Sequence, residues 1–537
     1  MDFDETYDVV VIGGGNAGFA AANTAAQSQS GTTATSVCVL EKAPREDAGG
    51  NTYFTAAGFR TCFDGLADLL PLLYQPDGTK GLPPELVERI DMEPYSREDF
   101  LADINRVTHS RASPTLSALL VDNSRSAIQW MADNGARFIL SFNRQAYLVD
   151  DRHKFWGGMV LTMAQQGAEL FAWHLDLAAR LGVRTRFGCA GTELLTDPTT
   201  GAVVGVRAVQ NVDGREVEVR IGARGGVVLA CGGFEASPAQ RASHLGPAWE
   251  AAHVRGTPFN TGDGHLMAAG VGARPAGDYA GCHSVAWDGN SSPSGGDRAR
   301  TNALTKSGYP LGVMVNVEGL RFVDEGFDLR NFTYAVYGRE ILRQPGGGRA
   351  FQVWDARGAR WLRREEYADE VTTNLRADTL EGLADVLVAR GLRDKGRFLA
   401  TVAEFNAACG SFQREHPERK FDPAVKDGLS TQGAEKCLEI GKTNWAVPIE
   451  KGPFQAVEVT CGITFTFGGL AATPNAEVIS DATGKPIGGL YCAGELLGGL
   501  FWDNYPGGSG LTMGTVMGRI AGREAAKRAE SHKGDGN

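Results

Sequence analysis

The sequence predicts an α/β protein in which a Rossmann-like nucleotide-binding domain, extended by an antiparallel β-meander, is interrupted by an α+β domain. Three observations support this class. An apolar run at residues 9–12 ends abruptly in glycines. Buried strands that also end in glycine recur at residues 226–234 and 487–495. The 537-residue chain is too long for one hydrophobic core, so at least two domains are expected.

The first stretch has the form of a buried strand that turns into a helix. Residues 9–12 are β-branched and uninterrupted, as in a central parallel strand. Gly13, Gly15 and Gly18 then fit the pattern G-x-G-x-x-G, which allows a tight turn, a close approach to a pyrophosphate and close helix packing. The N-terminus of the following helix would offer amide donors to the phosphates.

A second strand and an acid complete a dinucleotide-binding unit. Residues 16–28 predict an Ala-rich helix and residues 36–40 a strand, and Glu41 stands at its end, where a carboxylate can accept both ribose hydroxyls. Residues 47–58 are again small and polar. These residues are suited to contact a cofactor, and they follow closely after the acid expected to bind the ribose. A second contact region at this position favours FAD over a nicotinamide cofactor.

The remaining elements follow in order. Ser96 begins a capping-box variant and a helix to about residue 109, and residues 113–135 predict another amphipathic helix. Residues 188–220 alternate as an antiparallel meander with a turn at Asp213-Gly214. Asp263 opens a further Ala-rich helix, where it would meet a phosphate or ribityl group.

A change of composition divides the chain. From about residue 276 aromatic and charged residues increase, and charged helices are predicted around 361–369 and 381–409. Glycine-rich buried strands return near residue 452. We therefore expect the first part of the nucleotide-binding domain at residues 1–275, a separate substrate domain at 276–448 and the second part at 449–537.

Composition excludes several classes of partner. The net charge is −11, from 53 basic and 64 acidic residues, without a basic cluster, so nucleic acid and anionic membranes are not expected. Nine cysteines without a C-x-x-C pair predict a reduced, intracellular protein without a metal site. The N-terminus lacks a signal peptide's basic region, and no apolar run approaches about 20 residues. We expect a cytoplasmic protein without stable membrane insertion. Because the net charge is negative, an anionic substrate would need a local cationic pocket.

Taken together, these ordered stretches resemble the fumarate reductase and succinate dehydrogenase flavoprotein superfamily, which includes the ketosteroid dehydrogenases. Within it, residues 319–334, 463–469 and 503–508 resemble most closely the FAD-dependent tricarballylate dehydrogenases. The resemblance covers nearly the whole chain. It implies an FAD-binding domain interrupted by a capping domain, with the substrate held between them.

The resemblance also implies site residues. Arg330 follows a Gly-x-Arg-Phe-x-x-Glu run, displaced by about one position from the acid of fumarate reductases, and His283 falls where those enzymes place a histidine on a substrate carboxylate. Two residues depart from that pattern. Phe465 replaces a histidine, and Tyr505 replaces a carboxylate-binding arginine and resembles the ketone-polarising tyrosine of ketosteroid dehydrogenases.

Desaturation of a C–C bond needs hydride transfer to flavin N5 and removal of a proton from the neighbouring carbon. Arg330, His283 and Tyr505 are the predicted catalytic residues. Arginine is a poor base at its usual pKa, so it would need a relay or an unusual environment. A guanidinium that lowered the pKa of Tyr505 would make this tyrosine an alternative proton acceptor.

Three functions remain open. The first is a dehydrogenase or reductase acting on a C–C bond beside a carboxylate, with a tricarballylate-like polycarboxylate as substrate and an unknown electron acceptor. The second is a desaturase of a ketone or enone, of the ketosteroid type, in secondary metabolism. The third is a flavin electron-transfer protein without a substrate.

The predicted FAD site draws on residues from eight stretches of the chain. It comprises Gly13, Gly15, Asn16, Ala17, Gly18, Glu41, Lys42, Gly50, Asn51, Thr52, Ala57, Gly58, Ala190, Ala230, Gly232, Asp263, Gly494, Glu495, Ser509, Gly510, Leu511 and Thr512.

The sequence predicts that FAD is bound without a covalent bond. In the succinate dehydrogenase branch a histidine just after the second glycine stretch attaches the flavin, whereas here Thr52 is followed by Tyr53 and Phe54. The purified protein should be yellow, and acid precipitation should release free FAD into the supernatant. Flavin absorbance that stays with the precipitate would contradict dissociable binding.

Overall fold

A computed structural model describes residues 2–30, 33–212 and 214–534, so Asp213 of the predicted turn lies outside the described residues. Its strands are β1 (Glu5–Ile12), β2 (Gln29–Ser30), β3 (Thr33–Ala34), β4 (Val37–Glu41), β5 (Ile90–Asp91), β6 (Ile139–Leu140), β7 (Ala146–Val149), β8 (Arg152–Phe155), β9 (Leu161–Thr162), β10 (Arg184–Phe187), β11 (Cys189–Thr196), β12 (Val203–Val212), β13 (Arg215–Leu229), β14 (His253–Val254), β15 (Pro275–Asp288), β16 (Val313–Asn316), β17 (Ala350–Trp354), β18 (Leu375–Ala377), β19 (Phe454–Leu470), β20 (Glu477–Ile479) and β21 (Pro486–Cys492).

The α-helices are α1 (Asn16–Gln27), α2 (Gly50–Phe54), α3 (Leu66–Leu69), α4 (Pro84–Val87), α5 (Arg97–Val107), α6 (Pro114–Asp133), α7 (Phe142–Gln145), α8 (Gln166–Arg180), α9 (Pro238–His244), α10 (Asp263–Gly270), α11 (Arg330–Thr333), α12 (Tyr337–Leu342), α13 (Pro345–Gly348), α14 (Ala356–Ala359), α15 (Arg364–Tyr367), α16 (Leu380–Ala389), α17 (Lys395–Glu415) and α18 (Ser509–Gly534). Among the described residues, no helix combines the length and apolar character needed to cross a membrane.

The larger sheet places the glycine-rich strand ends together. Its strand order is β10-β4-β1-β13-β12-β11, and β21 and β20 extend it beside β13. Strands β10, β4, β1, β13 and β21 run parallel, so the glycines that follow β1, β13 and β21 meet at one edge. Strands β11 and β12 add the antiparallel meander. The predicted mixed α/β fold is confirmed.

Strand β13 differs from the prediction in its extent. The sequence predicts a meander strand near residues 216–221 and a separate buried strand from 226, whereas the structure has one 15-residue strand. Its first half pairs with β12 and its second half with β1 and β21. Gly226 has a φ of +123°. A Cβ there would lie 2.2 Å from the carbonyl oxygen of Gly489, so glycine allows the two strands to approach.

The second sheet is built around β19. This strand is parallel to β14 and antiparallel to β15, β17 and β18, and β16 completes the sheet beside β17. Strand β19 begins after residue 448, yet it pairs with strands of the segment 276–448. The domain boundaries at 276 and 448 stay a prediction.

Local helix signals behave as the sequence indicates. The side chain of Ser96 accepts from the Asp99 backbone N–H and Asp99 caps Ser96 in return, so the predicted capping box begins α5. Helix α6 begins after Ser113, whose hydroxyl accepts from Leu116 N–H. The charged stretch predicted as a helix around 361–369 is shorter in the structure, a single turn at α15.

Helices α1 and α18 pack backbone against backbone beneath the larger sheet. Gly514, Gly518 and Gly522 recur every fourth residue on the face of α18 that meets α1. A Cβ on Gly518 would lie 2.3 Å from the Ala17 carbonyl oxygen, and one on Gly522 would lie 2.1 Å from that of Ala21. The small residues of both helices therefore set their separation, and with it the position of both helix N-termini.

We expect Gly522→Ala to lower the free energy of unfolding by about 1–3 kcal/mol, because the added methyl group overpacks the contact with Ala21. The change would occur although alanine has the higher helix propensity. Lys527→Ala, on the exposed face of the same helix, is the matched control. Denaturant unfolding compares the midpoints, and an unchanged or higher midpoint for Gly522→Ala would contradict this packing argument.

Candidate active site

One elongated cavity of about 280 Å³ runs from the glycines after β1 to a group of arginines and aromatic rings beside β19. Its walls come from both sheets. The larger sheet contributes the ends of β1, β4, β11 and β13, and β19 contributes Thr464 to Phe467. The cavity therefore has a nucleotide end, where the sequence predicts the dinucleotide, and an opposite end where buried charges gather.

The nucleotide end is shaped by glycine and by Glu41. A Cβ on Gly13 would lie 2.2 Å from the Ala230 carbonyl oxygen, so only glycine fits this turn, whose φ is +108°. The two carboxylate oxygens of Glu41 accept from Gly14 N–H and Ala43 N–H, each at 2.8 Å. Burial raises the pKa of the Glu41 carboxyl. The backbone thus orients an acid at the place predicted for ribose recognition.

Polar side chains from distant segments meet in the middle of the cavity. Asn51 Nδ2 donates to Glu235 at 2.7 Å and to the Thr464 carbonyl at 2.8 Å. Glu495 accepts from Thr466 N–H at 2.8 Å. Burial raises the pKa of both Glu235 and Glu495. This network ties residues 50–52 and the end of β21 to the second sheet.

Four arginines converge on the opposite end. Arg144, Arg255, Arg330 and Arg363 all line the cavity, and one carboxylate, Glu366, lies among them. Burial by itself would raise the pKa of the Glu366 carboxyl, but Arg363 and Arg144 hold it down at about 2. This end of the cavity therefore carries an excess of positive charge.

Arg330 lies in an environment that favours loss of its proton. Its guanidinium stacks over Tyr147 at 5.2 Å and over Trp156 at 5.7 Å, and Nη2 donates to the Arg144 carbonyl at 3.3 Å. Burial, together with the neighbouring Arg363, lowers the pKa of Arg330 to about 10. Among the described residues, its Nε has no hydrogen-bond partner.

An aromatic wall with neutral polar groups faces these charges. The hydroxyl groups of Tyr334 and Tyr505 lie 2.5 Å apart, and the ring of His283 packs at 4.8 Å from that of Tyr334 and 5.2 Å from that of Phe465. Neither ring nitrogen of His283 has a partner in the described part of the chain. Burial and Arg255 lower the pKa of His283 well below its usual value, so the imidazole is neutral.

The sequence suggested that a neighbouring guanidinium could lower the pKa of Tyr505. The structure corrects this expectation, because the pKa shifts in the opposite direction. Burial and the Tyr334 hydroxyl raise the pKa of Tyr505 well above its usual value. Arg255 acts in the opposite direction but more weakly. Tyr505 is therefore protonated at neutral pH and can donate a hydrogen bond.

Most of the predicted residues line this cavity. They are Gly13, Gly15, Asn16, Ala17, Glu41, Lys42, Gly50, Asn51, Thr52, Gly58, Ala190, Ala230, Gly232, Asp263, Gly494, Glu495, Gly510 and Leu511, with Arg330, Tyr505 and His283. Four others lie behind its walls: Gly18, Ala57, Ser509 and Thr512.

Those four residues have packing roles. A Cβ on Gly18 would lie 1.9 Å from the Gly13 carbonyl oxygen, which fits the close helix packing expected of the third motif glycine. Thr512 donates to the Arg60 carbonyl at 2.7 Å, and Ser509 donates to the Pro506 carbonyl. Ala57 is fully buried with a φ of +51°.

Asp263 does line the cavity, but its carboxylate pairs with Lys42 at 2.7 Å.

The sequence did not single out Arg144, Arg255, Arg363, Glu366 or Glu235. The three arginines stand outside any motif, and an isolated arginine in a sequence looks like a solvated surface residue. Arg363 and Glu366 lie in the stretch predicted only as a charged helix. The clearest signal was Glu235, which follows the glycines after β13 just as Glu495 follows those after β21.

Comparison with known proteins identifies relatives over nearly the whole chain. The profile of the family described as FAD binding domain matches residues 85–511. A probable fumarate reductase, Ifc3, from Shewanella frigidimarina is 26% identical over 526 residues, which cover 98% of this chain and 76% of that protein. The 3-oxosteroid 1-dehydrogenase of Mycobacterium tuberculosis is 28% identical over 369 residues, covering 65% of this chain and 62% of that protein.

A solved structure has the same fold. The open conformation of a flavocytochrome c3 fumarate reductase superposes with a TM-score of 0.68 at 25% sequence identity. The match covers 98% of this chain and 79% of that one. The similarity therefore includes both sheets.

Proposed function

We propose that this chain, which belongs to the FAD binding domain family, oxidises or reduces a C–C bond beside a carboxylate in a polycarboxylate of the tricarballylate type. The protein is an FAD-dependent dehydrogenase or reductase acting on CH–CH groups, as its relatives are. The choice of a polycarboxylate rests on one observation, the four arginines that line one end of the cavity, where Arg144 and Arg363 share a single carboxylate, Glu366.

The nucleotide end fits FAD. The turn after β1 consists of Gly13, Gly14 and Gly15, which have no side chains, and α1 begins there at Asn16 after an N-cap glycine. Glu41, held by two backbone N–H groups, would accept the ribose hydroxyls. Bound FAD would supply the two-electron acceptor or donor for a hydride.

The charge at the other end favours an anionic substrate. Buried guanidinium groups lose their hydration, and anions restore a favourable environment when they form charge-assisted hydrogen bonds. Arg144, Arg255, Arg330 and Arg363 outnumber Glu366, and burial lowers the pKa of Arg144, Arg255 and Arg330. Carboxylates of the substrate would offset this excess, whereas a purely apolar substrate would leave it uncompensated.

Groups near the aromatic wall would carry out the proton transfer. In the oxidative direction the substrate loses a hydride from one carbon and a proton from its neighbour, and the C=C bond forms between them. In the reductive direction Arg330, whose pKa is lowered to about 10 and which is therefore mainly protonated at neutral pH, donates that proton, and in the oxidative direction its minor deprotonated form accepts it. Neutral His283 and the protonated Tyr505 orient and polarise the adjacent carboxylate.

A ketone or enone substrate is the second candidate, because the Tyr334–Tyr505 hydroxyl pair could donate to a ketone oxygen and Phe465, Phe467 and Phe501 form an apolar wall. The third hypothesis was a flavin protein without a substrate. It is not supported, because the relatives are enzymes. Anaerobic photoreduction followed by mixing with aconitate, fumarate or an enone separates the first two. The substrate proposal fails if only the enone reoxidises the flavin.

We expect Arg330→Ala to slow flavin reduction by substrate about 10²–10³-fold, because the charged group near the transferred proton is lost. Single-turnover bleaching of the flavin measures this step without interference from product release. The flavin spectrum before mixing shows whether FAD is retained. A variant that retains FAD and reacts at the parent rate would remove Arg330 from the mechanism.

Tyr505→Phe removes one hydroxyl and leaves the ring. We expect a smaller loss, of about tenfold, because Tyr334 remains as a hydrogen-bond donor beside the vacated position. Single-turnover measurements on Tyr505→Phe, Tyr334→Phe and the double variant test this. A double variant that reacts at the parent rate would show that the hydroxyl pair does not polarise the substrate.

A further inference from the structure

Arg255 is held in the cavity wall by neutral oxygens. Its Nε donates to the Thr305 hydroxyl at 3.2 Å, and its Nη2 donates to Oδ1 of Asn302 at 2.9 Å. The remaining nitrogen, Nη1, has no hydrogen-bond partner in the described part of the chain and keeps accessible surface, whereas the unpartnered nitrogens of Arg144 and Arg330 are fully buried. Because Arg255 lines the cavity, Nη1 is the donor that a ligand can reach.

No carboxylate of the described residues forms an ion pair with Arg255. Its side-chain hydrogen bonds go only to a hydroxyl and an amide oxygen. Burial lowers the pKa of Arg255, and the opposing effects of Tyr334, Tyr505 and Glu366 are weaker. An anion at Nη1 would therefore be the first charged acceptor of this guanidinium.

The side chain of Asn302 connects Arg255 to the cofactor part of the cavity. While its Oδ1 accepts from Arg255, its Nδ2 donates to the Thr55 carbonyl at 3.0 Å and to Oε1 of Gln166 at 2.6 Å. A guanidinium can only donate and a carbonyl can only accept, so these partners fix the orientation of the amide. Thr55 directly follows α2, which carries residues 50–52 of the predicted FAD site. Asn302 is buried behind the cavity wall, so it acts through Arg255.

The segment that carries Asn302 is attached on both sides. The Thr301 hydroxyl donates to the Phe54 carbonyl at 3.0 Å, which adds a second bond to the end of α2. In the other direction, the Lys306 N–H donates to the Ala286 carbonyl of β15 at 2.9 Å. A continuous chain of hydrogen bonds therefore runs from the cofactor segment through Asn302 to the guanidinium of Arg255.

We propose that Asn302 is a positioning residue that holds Arg255 for an anionic substrate and makes the binding of this anion and of FAD cooperative. Each ligand fixes one end of the same hydrogen-bond chain, so the ligand that binds second has fewer side chains to order. By linkage, the anion tightens FAD binding by the same factor by which FAD tightens anion binding. The inference rests on the proposed function in one respect, that Arg255 meets the anionic substrate.

The test measures the dissociation constant of FAD with and without a bound anion. Dilution of the holoenzyme, followed by the recovery of flavin fluorescence, gives this constant for the parent protein and for Asn302→Ala. Tricarballylate and inorganic sulfate are the anions, so the measurement needs no turnover. We expect a saturating anion to lower the FAD dissociation constant about 5- to 10-fold in the parent protein and less than about twofold in the variant.

The measurement without anion separates positioning from a general structural role. The Gly167 N–H also donates to the Thr55 carbonyl, at 3.0 Å, so this carbonyl keeps a partner in Asn302→Ala. The FAD dissociation constant of the variant without anion should therefore stay within about threefold of the parent value. A variant that binds FAD much more weakly without anion and keeps the full anion effect would contradict the proposal.

Three further variants serve as controls. Thr301→Val removes another hydrogen bond between the same two segments without touching Arg255, and it should keep the full anion effect. Asn302→Asp keeps an acceptor for Arg255 but supplies a charge that compensates the guanidinium, so it should lose the effect as Asn302→Ala does. Arg255→Gln should abolish the effect, and combining it with Asn302→Ala should change nothing further.

The outcomes distinguish this inference from the proposed function. A parent effect retained in Asn302→Ala, an equal loss in Thr301→Val, or a parent protein whose FAD binding responds to neither anion would overturn the role of Asn302. A reduced flavin that no unsaturated carboxylate reoxidises would refute the proposed function, whereas the sulfate measurement would still decide whether Asn302 couples Arg255 to the cofactor.

Discussion

The arginine-lined end of the cavity depends on one buried ion-pair network centred on Glu366. This carboxylate lies in α15, is fully buried, and contacts Arg363 from its own segment and Arg144 from the first third of the chain. Without it, like charges would stand side by side in a low-dielectric environment, where their repulsion is large. Breaking such a buried pair by removing one partner typically costs about 3–5 kcal/mol. Glu366 thus joins distant segments and permits the arginines to gather.

The same network leaves some guanidinium N–H groups without an acceptor. Under the proposed function, this deficit favours binding of an anionic substrate. A buried carboxylate that satisfied every guanidinium would form a closed structural cluster. Here one acid accepts a hydrogen bond from Arg363 Nη1 and lies near Nη1 of Arg144, while Arg330 relies on a backbone carbonyl and on aromatic faces. Under the proposed function, an anionic substrate would offset the uncompensated charge at this end of the cavity.

Charged and neutral groups are separated within the cavity. His283, Tyr334 and Tyr505 are kept neutral by burial, and the charge of Arg255 further disfavours protonation of the imidazole. Neutral donors polarise a carboxylate or a carbonyl without adding net charge, whereas the guanidiniums set the overall attraction. The position of β19 makes this division possible, because it carries Phe465 to the aromatic wall and Thr466 to the Glu495 network at the cofactor.

The sequence by itself predicted the mixed α/β fold and most of the residues that line the cavity at its nucleotide end. Gly13, Gly15, Glu41 and Glu495 belong to local patterns, because a tight turn or a strand end constrains consecutive residues. The family resemblance pointed to Arg330, His283 and Tyr505 at the other end. Only the tertiary structure decided that Arg144, Arg255 and Arg363 join them, since these residues come from separate segments and carry no pattern of their own. It also decided the direction of the Tyr505 pKa shift, because burial and a neighbouring hydroxyl depend on packing across both sheets.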